Sequence, residues 1–183
     1  MMAVSTYHRA KARRRAGAIP RRREPLALRL VRASVALPLY LAVVLYLIDP
    51  PLLAWSQVGL PAWLRWLGVV MGAAAIPMIY WVFASLGSSV SETILTKESQ
   101  RLVTAGPYRW VRHPLYATAC SALGALSLIA ANWFMALFVV IMIGLLPALA
   151  RREEAHLMAH FGAAYADYMK ATGRFLPRFD RIL

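Results

Sequence analysis

LYATACSALGALSLIAANWFMALFVVIMIGLLPALA, residues 115–150, carries no charged side chain, and its reading decides the fold. A membrane-crossing helix needs about 20 apolar residues, and this run is long enough for two. Asn132 interrupts it near the middle. The stretch therefore reads as two spans, roughly Leu115 to Ala131 and Trp133 to Ala150, joined by a very tight turn. A connection that short forces an antiparallel hairpin.

The same signal recurs upstream. Ala33 to Ile48 reads as a short span with Pro38 inside, closed by Asp49-Pro50-Pro51. Leu64 to Leu86 reads as a second span, with Arg65 near its start and Pro77 inside. Residues 50–62 between them read as a loop, and Trp55 and Trp63 suit the membrane interface. The composition agrees: 60% of the 183 residues are hydrophobic, 16% are charged and the mean hydropathy is +0.54. Soluble domains carry about 25% charged residues. The expected fold is an all-α integral membrane protein with about four transmembrane helices, a C-terminal amphipathic helix within the tail 151–183 and a cytoplasmic polar pocket. Residues 1–32 form a basic tail and 33–183 the membrane domain.

The net charge of +13 is mostly a property of that tail, which holds ten of the 21 Lys and Arg residues against one acid, Glu24. Beside a span, such a tail marks the cytoplasmic side and touches anionic headgroups. Nucleic acid is not the expected partner, because no basic-aromatic surface recurs elsewhere. Basic residues crowd the N-terminus, the segment from Gly87 to His113 and the C-terminal region, while the other two connections have none. Four spans put all three basic segments on one face, so both termini are expected in the cytoplasm of a multi-pass cell-membrane protein.

With one cysteine, Cys120, inside an apolar run, neither an intramolecular disulfide nor a cysteine-based zinc site can form. Cys120 reads as a small core residue. No signal-peptide pattern, P-loop, G-x-S-x-G or Rossmann glycine pattern is present.

Two polar segments do not fit a purely structural membrane protein. GPYRWVRHPLYA, residues 106–117, precedes the third span, and ARREEAHLMAHFGAAYADY, residues 150–168, follows the fourth. The hairpin returns to its starting level, so His113 and Tyr116 are expected near Arg151 to Glu154. Gly106-Pro107 suggests a turn, and Pro114 suits the first turn of a helix. A helix start offers free N–H groups and a positive dipole end to an anion. The bland reading makes Arg109 and Arg112 positive-inside anchors and Tyr108 and Tyr116 headgroup contacts. It does not account for His113. For Glu153 and Glu154 it offers pairing with Arg151 and Arg152; the functional reading turns one glutamate inward toward a ligand. Glu153, His156 and His160 share a helical face, but the Glu-x-x-His pattern of helical dimetal sites occurs only once, so no metal site is expected.

These residues resemble the isoprenylcysteine carboxyl methyltransferase family and the related membrane phospholipid methyltransferases. The matching stretches are LG at 86–87, LVTAGPYRWVRHPLY at 102–116, EE at 153–154 and FGAAYADY at 161–168, followed by RFLP. Together they cover roughly residues 80–178. The resemblance implies an integral-membrane methyltransferase using S-adenosylmethionine, held by Gly106, Tyr108, His113, Pro114, Tyr116, Glu153 and Glu154. Arg112 orders the pocket or meets the acceptor. Glu154 or His113 serves as base for an amine or thiol acceptor, while a carboxylate needs none. The acceptor is expected to be a lipophilic small molecule bearing a carboxylate, amine or thiol. Two other classes compete: a non-catalytic membrane scaffold whose tail binds lipid or a partner, and a small reductase or transporter. Spans free of acidic residues disfavour the transporter.

Overall fold

The computed structural model describes residues 26–86 and 102–178. Most of the expected basic tail, together with Gly87, Lys97 and Arg101, lies outside the described residues. Among the described residues, five α-helices follow one another: α1 Leu26–Ile48, α2 Ala62–Leu86, α3 Pro114–Ala130, α4 Trp133–Phe161 and α5 Ala163–Ala171. Short 3-10 turns lie at Pro50–Ser56 and Gly106–Arg109. The residues expected as a loop after the first span thus begin with a tight helical turn, started by Pro50 and Pro51, whose fixed φ suits a helix start.

Among the described residues, three helical segments are long and apolar enough to cross a membrane: Arg29–Ile48, Ala62–Leu86 and Trp133–Phe161. The fourth apolar helix, α3, has 17 residues. At 1.5 Å per residue it is about 26 Å long, just short of a hydrocarbon core of about 30 Å. α1 begins at Leu26, seven residues before the expected span, because Arg29 and Arg32 are good helix formers although they are not apolar. α4 runs on past Ala150 to Phe161 and carries Arg151 to Glu154 on its last turns. The expected amphipathic C-terminal helix is thus the end of α4 followed by the nine-residue α5, the break falling at Gly162 with φ +55°.

The chain divides into two compact units. One draws on Pro25–Ile76 and Thr118–Leu146. Its core joins Leu39 and Ala42 of α1, Leu53, Leu123 and Ala130 of α3, and Met135 and Val139 of α4. Large apolar side chains such as Leu37, Leu41, Leu47, Val70, Val140 and Ile143 point outward, as lipid-facing surfaces require. Gly68 of α2 lies so close to α3 that a Cβ there would sit 2.8 Å from the Ala125 carbonyl oxygen and 2.9 Å from Leu128 Cβ. Gly68 and Gly72 form the small-xxx-small spacing that lets membrane helices approach.

The expected tight turn between α3 and α4 is present. Ala131 adopts φ +50°, with Ala131 N–H donating to Leu128 O and Asn132 N–H to Ser127 O, a helix-ending pattern that usually employs glycine. Asn132 then starts α4. Its Oδ1 accepts from Met135 N–H at 3.0 Å, and its Nδ2 donates to the buried Ser56 hydroxyl at 2.7 Å. Trp55 packs edge-on against Trp133 and Phe134 beside this clasp.

The other unit draws on Pro77–Ala117 and Pro147–Leu183. Ile79 and Phe83 at the end of α2 pack with Leu86 and Leu115. This unit contains every residue expected to form the site.

Candidate functional site

The site grows from one irregular segment held by two helices and a C-terminal strap. Gly106 has φ +62°, and a Cβ on it would lie 2.2 Å from Ser85 Oγ, so only glycine fits this turn without strain. Pro107 and Tyr108 continue the turn and are buried. The Tyr108 carbonyl oxygen accepts from the Tyr168 phenol at 2.7 Å, which ties the turn to α5. Arg109 stacks over the Trp110 ring at 4.3 Å, and Trp110 meets Trp81 edge-on.

Residues 110–113 run beside the strap that follows α5. Gly173 N–H donates to Trp110 O, Arg112 N–H to Gly173 O, and His113 N–H to Arg174 O, all within 2.9–3.1 Å. This short parallel pairing leaves the side chains of Arg112, His113 and Arg174 around one carboxylate. Pro114 then opens α3.

That carboxylate is Glu154, 5% exposed. Oε1 accepts from Arg112 Nε at 2.9 Å and from Arg174 Nε at 3.1 Å, and Oε2 accepts from Arg174 Nη2 at 2.6 Å. The Arg174 contact is a side-on fork, the strong geometry for a guanidinium and a carboxylate. It holds the Arg174 guanidinium further toward its charged form. Arg112 Nη1 also donates to the carbonyls of Met169 and Thr172 and to the Thr172 hydroxyl. Unpaired buried charge is expensive; here each charge has a partner.

Glu153 is 30% exposed and accepts from the Tyr116 phenol at 2.9 Å. His113, 5% exposed, bridges the two glutamates: Nδ1 lies 3.6 Å from Glu153 Oε2 and Nε2 lies 3.4 Å from Glu154 Oε1. The second approach is close but not aligned as a hydrogen bond, and Nε2 is buried with no hydrogen-bond partner among the described residues. The Tyr165 hydroxyl is buried and unpartnered in the same sense. Tyr116 stacks on the His113 ring at 5.4 Å and Phe175 lies 5.8 Å from it. Burial pushes the Tyr108 and Tyr165 phenols up, with Glu153 adding to both and Glu154 to Tyr165, so both stay neutral donors.

The structure therefore brings together Arg112, His113, Tyr116, Glu153 and Glu154. Gly106, Tyr108 and Pro114 shape the backbone that presents them. The proposed pairing of the glutamates with Arg151 and Arg152 is replaced by pairing across the unit, since Arg112 and Arg174 reach the buried Glu154. His156 and His160 are exposed, and His160 packs against Phe161. Among the described residues, no three His, Cys, Asp or Glu side chains gather as metal ligands.

Sequence reasoning missed Arg174 and the roles of Tyr165 and Thr172. The RFLP stretch enters the sequence reading only as part of a resemblance.

The family model for the isoprenylcysteine carboxyl methyltransferase (ICMT) family matches residues 66–160, more than half of the chain. The chain belongs to the ICMT family. A solved structure of the eukaryotic intramembrane Ras methyltransferase ICMT superposes with a TM-score of 0.59 at 19% identity, covering 96% of this chain and 64% of that one. At that identity the likeness shows a shared fold. Curated relatives include the cobalt-zinc-cadmium resistance protein CzcN of Cupriavidus metallidurans, 36% identical over 46% of this chain and 39% of its own length. The uncharacterized protein YpbQ of Bacillus subtilis is 38% identical over 28% of this chain and 32% of its own length. The matches thus span under half the length of these curated relatives. With ICMT membership, the ICMT-like fold and several membrane-length apolar helices, the protein is a multi-pass membrane protein.

Proposed function

We propose that this protein is an integral-membrane methyltransferase that takes its methyl group from S-adenosylmethionine and delivers it to a lipophilic acceptor. The observation that carries the reading is the pair of orphaned buried polar atoms, His113 Nε2 and Tyr165 Oη, beside a glutamate pair and two arginines in an ICMT-family chain. Buried polar groups are ordinarily hydrogen-bonded. Two that are not, facing a cluster of fixed charges, suit a polar ligand.

The donor set fits that cofactor. Its ribose hydroxyls and ammonium group need acceptors, and the partly exposed Glu153 is one. Its heterocycle and hydroxyls need polar partners, which the neutral Tyr165 phenol and the ring nitrogens of His113 offer. When bound, S-adenosylmethionine supplies an electrophilic methyl group on a sulfonium, so alignment and exclusion of water carry much of the rate. The chain's part is to hold the reactants still. In this reading Glu154 and Arg112 frame the site, because their polar atoms are largely taken up by each other and by the strap. His113 is the group suited to hold a proton from an amine or thiol acceptor, and a carboxylate acceptor needs no base.

The same reading has four spans, with α3 completing the bundle at the lower end of membrane-crossing length. The positive-inside pattern supports a cytoplasmic site, cytoplasmic termini and a basic tail on anionic headgroups.

The test is calorimetric binding of S-adenosylhomocysteine to the detergent-purified protein, with His113→Ala and Tyr165→Phe alongside. Micromolar binding is expected, weakened about tenfold or more in each variant, the range of a lost buried hydrogen bond with its stranded partner. Absence of binding to well-folded protein overturns the reading in favour of a non-catalytic membrane scaffold.

A further inference from the structure

The sequence offers Arg112 either to order the pocket or to meet the acceptor, and its geometry favours the first. Its side chain is 8% exposed. Nε is committed to Glu154, and Nη1 to Met169, Thr172 O and the Thr172 hydroxyl. Turning this guanidinium toward a ligand would leave the Met169 and Thr172 carbonyls without it and Glu154 with Arg174 alone.

Arg174 is placed differently. Its side chain is 31% exposed, about four times as much as that of Arg112. It uses Nε and one N–H of Nη2 on Glu154. A guanidinium carries five N–H donors, so three remain, and Nη1 has no partner among the described residues. The fork on Glu154 fixes the plane of the group, so these donors are oriented in advance. A pre-ordered planar cation is the form in which arginine reads a carboxylate or phosphate. Two other cations of this unit are engaged at its surface, Arg109 over Trp110 and Lys170 with Asp167, both exposed. The orphaned His113 Nε2 approaches the same Glu154 oxygen that Arg174 Nε holds, an independent sign that a polar ligand belongs beside this pair.

We propose that Arg174 is the carboxylate-reading residue of the site, with Arg112 serving to hold Glu154 in place. This rests on the methyltransferase reading above and names the contact within it. In that reaction two partners can present a carboxylate: the amino-acid end of the cofactor, or the acceptor itself. Arg174 has donors free for one further planar anion after Glu154 is satisfied.

The experiment compares ligand pairs of which one member carries a carboxylate and the other lacks it. S-adenosylhomocysteine carries the carboxylate, and 5′-methylthioadenosine lacks the whole amino-acid end. N-acetyl-S-farnesylcysteine carries an acceptor carboxylate, and its methyl ester does not. Affinities are measured on wild type, Arg174→Gln and Arg174→Lys, each checked for helicity and thermal unfolding. A charge-assisted contact of this kind is worth about 10- to 100-fold in affinity. The preference for S-adenosylhomocysteine over methylthioadenosine should shrink by that factor in Arg174→Gln if the cofactor is the source. The preference for acid over ester should shrink instead if the acceptor is. Lysine keeps a charge on Glu154 without a second fork edge, so it should lose several-fold. If both preferences survive unchanged in the folded variants, or in the lysine variant alone where glutamine does not fold, the assignment is overturned. Wild type that binds none of the four probes sinks the methyltransferase reading, and this assignment with it.

Discussion

The Tyr168 phenol donates to the Tyr108 carbonyl oxygen at 2.7 Å and so ties α5 to the turn that opens the site. Both residues are buried. Tyr168→Phe removes the donor and leaves the carbonyl unsatisfied, which should destabilise the protein by about 1–3 kcal/mol. Thermal unfolding in detergent measures it. Burial pushes the Tyr168 phenol up to about 12, against the opposing charge of Arg112. A raised folded-state value means that the unfolded chain loses its phenol proton first, near pH 10. The contribution is therefore intact below about pH 10 and lost as pH rises toward 12. Wild type should show that alkaline decline, and Tyr168→Phe a smaller one.

Gly106→Ala should destabilise by about 1–3 kcal/mol, combining a positive φ with a clash on Ser85 Oγ. Adding Ser85→Ala removes the clashing hydroxyl but not the backbone strain. The double variant should recover part of the loss, read as a denaturation midpoint between wild type and Gly106→Ala.

Gly68 and Gly72 are spaced alike on α2 but face α3 at different distances. A Cβ at Gly68 meets backbone oxygen at 2.8 Å, whereas one at Gly72 meets Ala125 Cβ at an ordinary 3.6 Å. Gly68→Ala should cost about 1–3 kcal/mol by overpacking, and Gly72→Ala should be close to neutral. Equal melting temperatures for the two variants would contradict the packing described.

The turn between α3 and α4 offers opposite predictions at adjacent residues. Ala131→Gly should stabilise by about 1 kcal/mol, because Ala131 sits at φ +50°. Asn132→Ala removes a helix cap and the donor to buried Ser56, and should destabilise by about 1–2 kcal/mol. Thermal melts of both variants decide it.

The meeting of His113 and Tyr116 with Glu153 and Glu154 was legible in the sequence because it follows from counting. A turn at Asn132 leaves arms of nearly equal length on either side, so residues about 18 back and 21 on reach the same level. Boundaries were less legible. Hydropathy reports where lipid-compatible residues lie, not where hydrogen-bonded helix begins or ends, so the starts of α1 and the extension of α4 were missed. Arg174 was least legible. A lone arginine between Gly173 and Phe175 looks like any surface charge, and its partner stands 20 residues away on α4. Only the pairing of residues 110–113 with the strap reveals it.

That pairing has a bearing on biogenesis. Residues 172–174 supply the carbonyls that receive Arg112 and His113 and the fork that holds Glu154. They follow all four apolar helices in the order of synthesis. A nascent chain whose spans have already entered the bilayer still lacks them. The site is therefore assembled last, and premature termination just before Thr172 would yield a protein that inserts in the membrane yet has no finished site.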